Sequence, residues 1–523
     1  MKSNKVVKNV VLLMSLTLLS KFVGFFREQV MSYYYGASMY SDIYFSAYDI
    51  PKILFSLLAA SLATTYIPMY NRVVEEKGEE RANVFTNNVL NLTLLVGFLI
   101  SVVAFIFMEP IVKVFAYGFK GETFNETVKF TRIMLAGYIF SGMSSVVSSF
   151  LQNKDDFLIS GITGIPYNVI AILSIVISIY TNNIYILPIG ASLALFSQYI
   201  IQLPKSFKLG YKPMPVMDFK DKYVLDMLFL VAPVLVSTSV SQINRAVDKT
   251  LASTLVVGSM SSLNYSNKLM GFFIGIFITA ISIVIFPQLS KMSFDKDKTG
   301  FNNLIKRSVN IVYIMIIPIT FLCIVLAKPI IMALFMRGAF DMRAANLTTN
   351  AFIFYLVGMI GLAMRTVVMK VFYSIGDTKT PMVNSTISVL LNIGLSIALV
   401  KPMQNGGLAL ATSLSYIISM IMLMNSLKKS IGDYGEKEVM SCIAKVFVGS
   451  IIMALIAKLV YDFIVGMAGS GGLVNFVGLI IAAAISTLVY LLVVKLLKVD
   501  EIDYLFKESK NGIKKLKNKL AKN

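Results

Sequence analysis

Long apolar runs dominate this sequence. Fourteen of them lie near residues 9–27, 43–69, 89–108, 130–152, 160–180, 184–203, 226–250, 263–287, 308–327, 347–370, 381–400, 405–427, 440–463 and 472–497. Most match the ~20 residues that carry an α-helix across hydrocarbon. Continuous runs of this length exclude a transmembrane β-barrel, whose strands alternate over ~10 residues. A soluble chain of this length would hide its apolar residues in cores and keep a charged skin. Here 56% of the 523 residues are hydrophobic and 15% are charged, against ~25% charged in soluble domains. The chain lacks that skin, so the expected fold is an all-α polytopic membrane protein with about 14 transmembrane helices. The first run carries Lys21 and no small-residue cleavage site, which makes it a retained helix rather than a leader.

The lysines choose the orientation. An even number of passes puts both termini on one side. With that side cytoplasmic, the inner loops and ends hold 32 Lys and Arg, and the outer loops about eight. Basic residues collect in cytoplasmic loops, so the net charge of +20 calls for no nucleic-acid partner. From Glu501 the sequence is lysine-rich, and Phe506, Ile513, Leu516 and Leu520 recur at helical spacing. A basic amphipathic cytoplasmic tail over 501–523, resting on the anionic inner leaflet, is expected. His is absent, and the two cysteines, Cys323 and Cys442, lie far apart in apolar runs. Neither a metal site nor a disulfide is expected.

The chain repeats itself at an offset near 220. Gly36-Ala37-Ser38-Met39 resembles Gly258-Ser259-Met260, Pro68 precedes Pro287, and Glu109-Pro110 precedes Lys328-Pro329. Gly118 precedes Gly338, Asp155 precedes Asp377, and Gly190 precedes Gly407. The repeat unit is six helices, an even number, so the two copies run parallel. The expected organisation is an N-lobe of helices 1–6 over 1–210 and a C-lobe of helices 7–12 over 211–430. Helices 13–14 over 431–500 are an unpaired addition. Two six-helix lobes around a cavity suit transport by alternating access.

Charges inside the spans gather by repeat. The first two helices carry Lys21, Arg27, Glu28, Asp42, Asp49 and Lys52; the seventh and eighth carry Arg245, Asp248, Lys249 and Lys268. A charge at the centre of a span costs ~2.5–3.5 kcal/mol on the insertion scale, so it faces a cavity or a partner. Six cations stand against four acids. Surplus positive charge suits an anion, phosphate above all, because Lys and Arg supply charge-assisted donors to it. Ser20, Gly24 and Arg27 share one face of the first helix, with Lys21 beside it. Gly24 there allows close approach of a helix or a substrate. Glu28, Asp42 and Asp49 are the acids that could couple transport to a monovalent cation or to the membrane potential.

These residues resemble a known family. Ser20-Lys21-x-x-Gly24-x-x-Arg27-Glu28, Tyr35-Gly36-Ala37, Asp42 and Ile50-Pro51 look like the N-terminal signature of the MviN/MurJ-type lipid II flippases, of the multidrug/oligosaccharidyl-lipid/polysaccharide exporter superfamily. Gln242-Ile243-Asn244, Leu263-Asn264-Tyr265, Pro287-Gln288-Leu289-Ser290, Phe335-Met336-Arg337-Gly338-Ala339-Phe340 and Asp377-Thr378-Lys379-Thr380-Pro381 extend the likeness over the whole chain. The resemblance implies a fourteen-helix flippase in the bacterial plasma membrane that moves the undecaprenyl-pyrophosphate-linked peptidoglycan precursor outward for cell-wall synthesis. It implies the cell-wall synthesis machinery as a partner and a hydrophobic groove for the lipid tail at helices 13 and 14. The family's cavity arginines map to Lys21, Arg27 and Lys268. An Asp that commonly precedes the third is Asn267, and a further basic position maps to Phe55, with Lys52 one turn earlier.

The headgroup site expected on these grounds is Lys21, Arg27, Glu28, Asp42, Lys52, Lys249 and Lys268, with Gly24, Asp49, Arg245 and Asp248 as secondary candidates. No catalytic constellation and no cofactor are expected. The competing readings are a flippase for a teichoic, capsular or other polyprenyl-linked glycan, and a drug or metabolite exporter of the same superfamily. A membrane enzyme acting on polyprenyl substrates would need an outer domain carrying catalytic acids, and the sequence has no loop long enough for one.

Overall fold

The computed structural model describes residues 2–292, 298–469, 471–499, 501 and 502. The basic tail expected from 501 onward lies outside the described residues, Glu501 and Ile502 apart. Among the described residues there are seventeen helices and no strand. In chain order they are α1 (Lys2–Tyr35), α2 (Met39–Ile106), α3 (Met108–Phe115), α4 (Gly121–Asn153), α5 (Leu158–Ile162), α6 (Gly164–Tyr180), α7 (Ile186–Ile200), α8 (Leu203–Lys208) and α9 (Lys222–Ser253). There follow α10 (Ser259–Met292), α11 (Lys298–Val325), α12 (Ala327–Phe335), α13 (Met342–Val357), α14 (Met359–Ser374), α15 (Lys379–Ile431), α16 (Glu436–Ala468) and α17 (Gly472–Leu496).

Helix is the element an apolar run must adopt in hydrocarbon, because every backbone N–H and C=O then finds its partner within the segment. Among the described residues, eight stretches are long and apolar enough to cross a membrane, or nine if the pair α13–α14, bent by 42°, is one span. The two longest helices are not straight rods. The 68-residue α2 breaks at Gly78, whose φ is +81°, and the 53-residue α15 breaks at Gln404, φ +50°.

The helices form two compact units that interleave along the chain. The first gathers the chain up to Phe272 with Phe335–Ala351 and Val389–Ala411. The second holds Phe273–Leu334, Phe352–Ser388 and the chain from Thr412 on. In the first, Leu62, Tyr66, Phe85, Phe150 and Val231 bring α2, α4 and α9 into one core. A second core joins Ile50, Phe55, Val112, Tyr138, Ala171 and Ala194 of α2, α3, α4, α6 and α7. In the second unit, Leu326, Ala457, Tyr461 and Ala482 seat α16 and α17. Close packing there rests on small residues, as expected where lipid removes the hydrophobic drive between helices. A Cβ on Gly449 would stand 2.9 Å from Val494, and one on Gly358 2.5 Å from Ser413. Leu455, Leu459, Phe463, Leu488 and Leu492 are exposed on α16 and α17, which suits a lipid-facing surface.

Two features of the first unit bear on the site. The first is a reciprocal contact that follows the sequence repeat. A Cβ on Gly118 would lie 2.2 Å from the carbonyl of Ser253, and one on Gly338 2.2 Å from that of Tyr33. Each glycine therefore touches the end of the helix that opens the other repeat, at α9 and α1 in turn. Backbone donors accompany both: Gly118 N to Ser253 Oγ at 2.9 Å and Ala339 N to Tyr33 O at 2.8 Å.

The second feature is a strap. Asn83, Asn87, Asn88 and Asn91 sit on one face of α2, and the extended segment before α9 runs across them. Asn83 accepts from Lys212 N at 3.0 Å and donates to Lys212 O at 3.1 Å. Asn87 accepts from Met214 N at 2.8 Å, and Asn88 both donates to and accepts from the Asp218 backbone at 2.8 Å. Asn91 donates to Met214 O and Val216 O. The segment ends at Asp221, which caps α9 through Tyr223 N at 2.9 Å and pairs with Arg81 at 2.6 Å. Four amide side chains thus supply the ladder that a neighbouring β-strand would otherwise provide.

Candidate functional site

Apart from Lys21, the charges singled out from the spans meet in the first unit, on α1, α2, α9 and α10. Arg27 of α1 pairs with its neighbour Glu28 at 2.6 Å, and Glu28 also accepts from Asn264 Nδ2 of α10 at 3.2 Å. The Arg27 guanidinium lies over the ring of Tyr167 on α6, 5.4 Å from its centroid. Lys249 of α9 pairs with Asp49 of α2 at 2.6 Å. Asp42 is buried at the start of α2, where both its oxygens are taken: by Gly258 N at 2.6 Å, and by Ser261 N and Oγ at 2.7 Å. Asp42 therefore closes the N-terminal turn of α10, where unpaired backbone donors favour an anion. Asp248 accepts from Ser396 Oγ at 3.0 Å and from Asn244 Nδ2 at 3.5 Å. The Oδ1 of Asn244 is buried and has no hydrogen bond among the described residues.

The remaining cations are different. Lys52 lies 5.5 Å from the centroid of the Tyr48 ring, and its charged neighbours are Asp49, Arg245, Lys249 and Arg27. Lys268 is exposed, yet the charges of Glu28, Lys52, Arg27 and Asp49 surround it. Among the described residues, neither of these lysines nor Arg245 makes an ion pair. Of the acids nearby, Glu28 and Asp49 are already engaged by Arg27 and Lys249. Three cations are thus left without an acid of their own among the described residues; Arg245 and Lys268 are exposed and Lys52 is half-buried, so all three keep some access for an incoming anion.

Two predicted residues sit apart. Lys21 is exposed on α1 about 9 Å along the helix from Arg27, from the ~1.5 Å rise per residue. The face that carries Ser20 and Gly24 turns to α6. Asn168 Nδ2 donates to Ser20 O at 3.4 Å, and a Cβ on Gly24 would meet Asn168 at 3.5 Å, an ordinary contact. Phe55 is buried in the apolar core, whereas Lys52 one turn earlier lies in the charged cluster.

Sequence reasoning missed the aromatic groups. Tyr44, Tyr48 and Tyr167 all lie in the electrostatic surroundings of Arg27. Tyr138 donates from its hydroxyl to Tyr48 O at 2.8 Å, with ring centroids 5.7 Å apart. The signal was present: Tyr44, Tyr48 and Lys52 follow one another at helical spacing on α2. Read alone, such a stripe is core.

A helical membrane fold with cations that have no ion pair among the described residues is an arrangement suited to a carrier of anionic or anion-headed substrates. Its architecture is shared with a multidrug resistance MATE family transporter of the MOP superfamily solved in an inward-facing conformation. The TM-score is 0.68 over 82% of this chain and 99% of that one, and at 14% identity the likeness is of fold alone. A lipid II flippase MurJ solved in an inward closed conformation matches with TM-score 0.80 at 25% identity, over 94% of this chain and all of that one.

The model of the lipid II flippase MurJ family matches residues 31–482, and the chain belongs to that family. Among its relatives, the probable lipid II flippase MurJ of Vibrio cholerae is 29% identical over 446 residues, 81% of this chain and 83% of the relative. That of Buchnera aphidicola is 26% identical over 456 residues, 86% and 89% of the two chains. The lipid II flippase MurJ of Burkholderia cenocepacia is 25% identical over 423 residues, 79% and 82%.

Proposed function

We propose that this protein flips the undecaprenyl-pyrophosphate-linked peptidoglycan precursor from the inner to the outer leaflet of the bacterial plasma membrane, by alternating access and without chemical change to it. The observation that carries the reading is the trio Lys52, Arg245 and Lys268, left without acid partners among the described residues beside Arg27. A pyrophosphate brings the missing negative charge and accepts from several fixed donors at once. Arg27 supplies directed N–H donors, and the lysines supply point charges that tolerate a moving headgroup. Asp49 and Glu28 hold Lys249 and Arg27 in place, and Asp42 fixes α10 against α2. Lys21, nearer the start of α1, meets the headgroup at a different depth from Arg27.

The carrier reading goes with fourteen passes. Dividing α2 at Gly78 and α15 at Gln404, joining α5 to α6, α7 to α8 and α13 to α14, and counting α1, α9 and α10 with the remaining long helices gives that number. The reciprocal Gly118 and Gly338 contacts support two parallel lobes over 1–210 and 211–430. The lysine bias favours cytoplasmic termini. A reporter active only outside the cytoplasm should be silent when fused after Asn523 and active when inserted near Asn125. For the driving force, Asp248 with Ser396 and the buried Asn244 Oδ1 forms an oxygen-rich spot suited to a monovalent cation.

The decisive experiment replaces the essential lipid II flippase of a bacterium with this gene. Growth with normal precursor export is expected. Failure to grow, with the protein present in the membrane at normal level, would assign it another glycolipid.

A further inference from the structure

We infer that Tyr48 and Tyr167 are positioning residues: Tyr48 seats Lys52 away from Asp49, and Tyr167 seats the Arg27 guanidinium so that the N–H donors its Glu28 pair does not use stay turned toward the headgroup; the inference rests on the pyrophosphate reading of the site. Each cation lies over a tyrosine ring, at 5.4 Å for Arg27 on Tyr167 and 5.5 Å for Lys52 on Tyr48. The rings themselves are anchored. Tyr167 is buried in the core shared by α2, α4 and α6. Tyr48 leans on Tyr138, which donates to its carbonyl and in turn packs against Phe55, 6.1 Å between centroids. A layered support therefore runs from the apolar core to the cation: Phe55, Tyr138, Tyr48, Lys52.

The local geometry shows why such support is needed. Asp49 is three residues before Lys52 on α2, a spacing at which helical side chains meet. Its carboxylate already serves Lys249. A lysine free to choose would fold back onto Asp49 and compete for it, and the Tyr48 ring four residues away offers another seat. Arg27 has the same choice. One of its terminal nitrogens bonds to Glu28, and among the described residues its other N–H groups make no hydrogen bond. A ring beside the guanidinium holds it through the quadrupole without taking any of its N–H donors. A purely ionic seat would consume those donors.

The test measures undecaprenyl pyrophosphate binding to the purified full chain, together with transport. Tyr167→Leu and Tyr48→Leu should each weaken binding by roughly three- to thirtyfold, the range a desolvated cation–π contact gives. Transport at saturating substrate should change less. Tyr167→Phe and Tyr48→Phe keep the ring and should bind within about twofold of the unmodified protein on the same grounds. In an Arg27→Gln background, Tyr167→Leu should add nothing further. The inference is overturned if the Leu variants bind normally while Arg27→Gln does not, and equally if Phe fails to rescue and every variant melts early. Normal binding by Arg27→Gln would instead sink the headgroup reading beneath it.

Discussion

The first unit contains two polar regions built on the same helix, α2, and they are finished to different degrees. Along the strap, Asn83, Asn87, Asn88 and Asn91 exchange hydrogen bonds with the backbone of 212–218, and the ion pair Arg81–Asp221 closes the end. In the charged cluster, Lys52, Arg245 and Lys268 have no ion pair among the described residues. Both regions interrupt apolar helices, so polarity alone does not separate architecture from function. The state of the bonds does. A buried polar group that has its partners rigidifies the fold. A cation without one keeps its donors for an anion that arrives.

The sharpest way to break this contrast is to remove a cation from the cluster, whether paired, as Arg27 is with Glu28, or unpaired, as Lys268 is among the described residues. Arg27→Ala should abolish flipping at a normal membrane level, as should Lys268→Gln. Charge-assisted bonds of ~1.5–3 kcal/mol each correspond to roughly ten- to a hundredfold in affinity. The measurement is complementation of a strain lacking its own flippase, with blotting for the protein. Normal growth on Arg27→Ala would erase the difference between the two regions.

The strap should respond in the opposite way. Asn88→Leu leaves the N–H and C=O of Asp218 without their side-chain partners. That should lower the stability of the purified protein by ~1–3 kcal/mol, two hydrogen bonds at a net ~0.5–1.5 kcal/mol each. Pyrophosphate-lipid affinity per folded molecule should not move. A binding loss with unchanged melting would make the strap part of the site.

The two regions were also unequally legible. Charge inside an apolar run is conspicuous, so Arg27, Lys52, Lys249 and Lys268 stood out, as did the acids among them. The helices followed from the same runs. The strap did not show, because its two halves give no joint signal. Four asparagines at the head of an apolar run read as a helix that starts late, and 209–221, with Pro213 and Pro215, reads as a linker. Only the fold brings them together across more than a hundred residues. Tyr48 and Tyr167 were hidden for another reason: an aromatic ring that seats a cation has the same sequence appearance as one that fills a core. The Ser20–Gly24 face was legible as a close-packing surface, but its neighbour was not, and the neighbour is Asn168 of α6.

Inside the cluster the pair Asp49–Lys249 is finished, as Arg27–Glu28 is, beside three cations without an ion pair among the described residues, and a charge swap tests whether it behaves so. At 2.6 Å and about a quarter exposed on both sides, it resembles the strap more than Lys52, Arg245 and Lys268 do. Lys249→Gln alone strands Asp49 and should lower transport partly, because Lys52 is then drawn to the freed carboxylate. Asp49→Asn in the same chain removes that pull and should restore most of the loss. Rescue measured by transport rate marks the pair as structural. No rescue, with pyrophosphate-lipid binding falling in parallel, would place Lys249 among the cations that touch substrate.

The smallest effect is expected where the charge is kept and only its shape is changed. Lys268→Arg exchanges a compact ammonium for a planar fork. If Lys268 were held by a specific protein partner, the longer, flatter group would disturb that contact and cost activity. The structure gives it no such partner among the described residues: its surroundings are the charges of Glu28, Lys52, Arg27 and Asp49, none in an ion pair with it. It is also exposed, so there is room for a guanidinium. A phosphate is served by any fixed cation within reach, so Lys268→Arg should flip at close to the normal rate while Lys268→Gln, similar in length and neutral, does not. The same exchange at Lys21, which stands apart from the cluster, should also be silent. If Lys268→Arg fails as badly as Lys268→Gln, the site reads shape as well as charge. The unfinished region would then be as exacting about geometry as the strap.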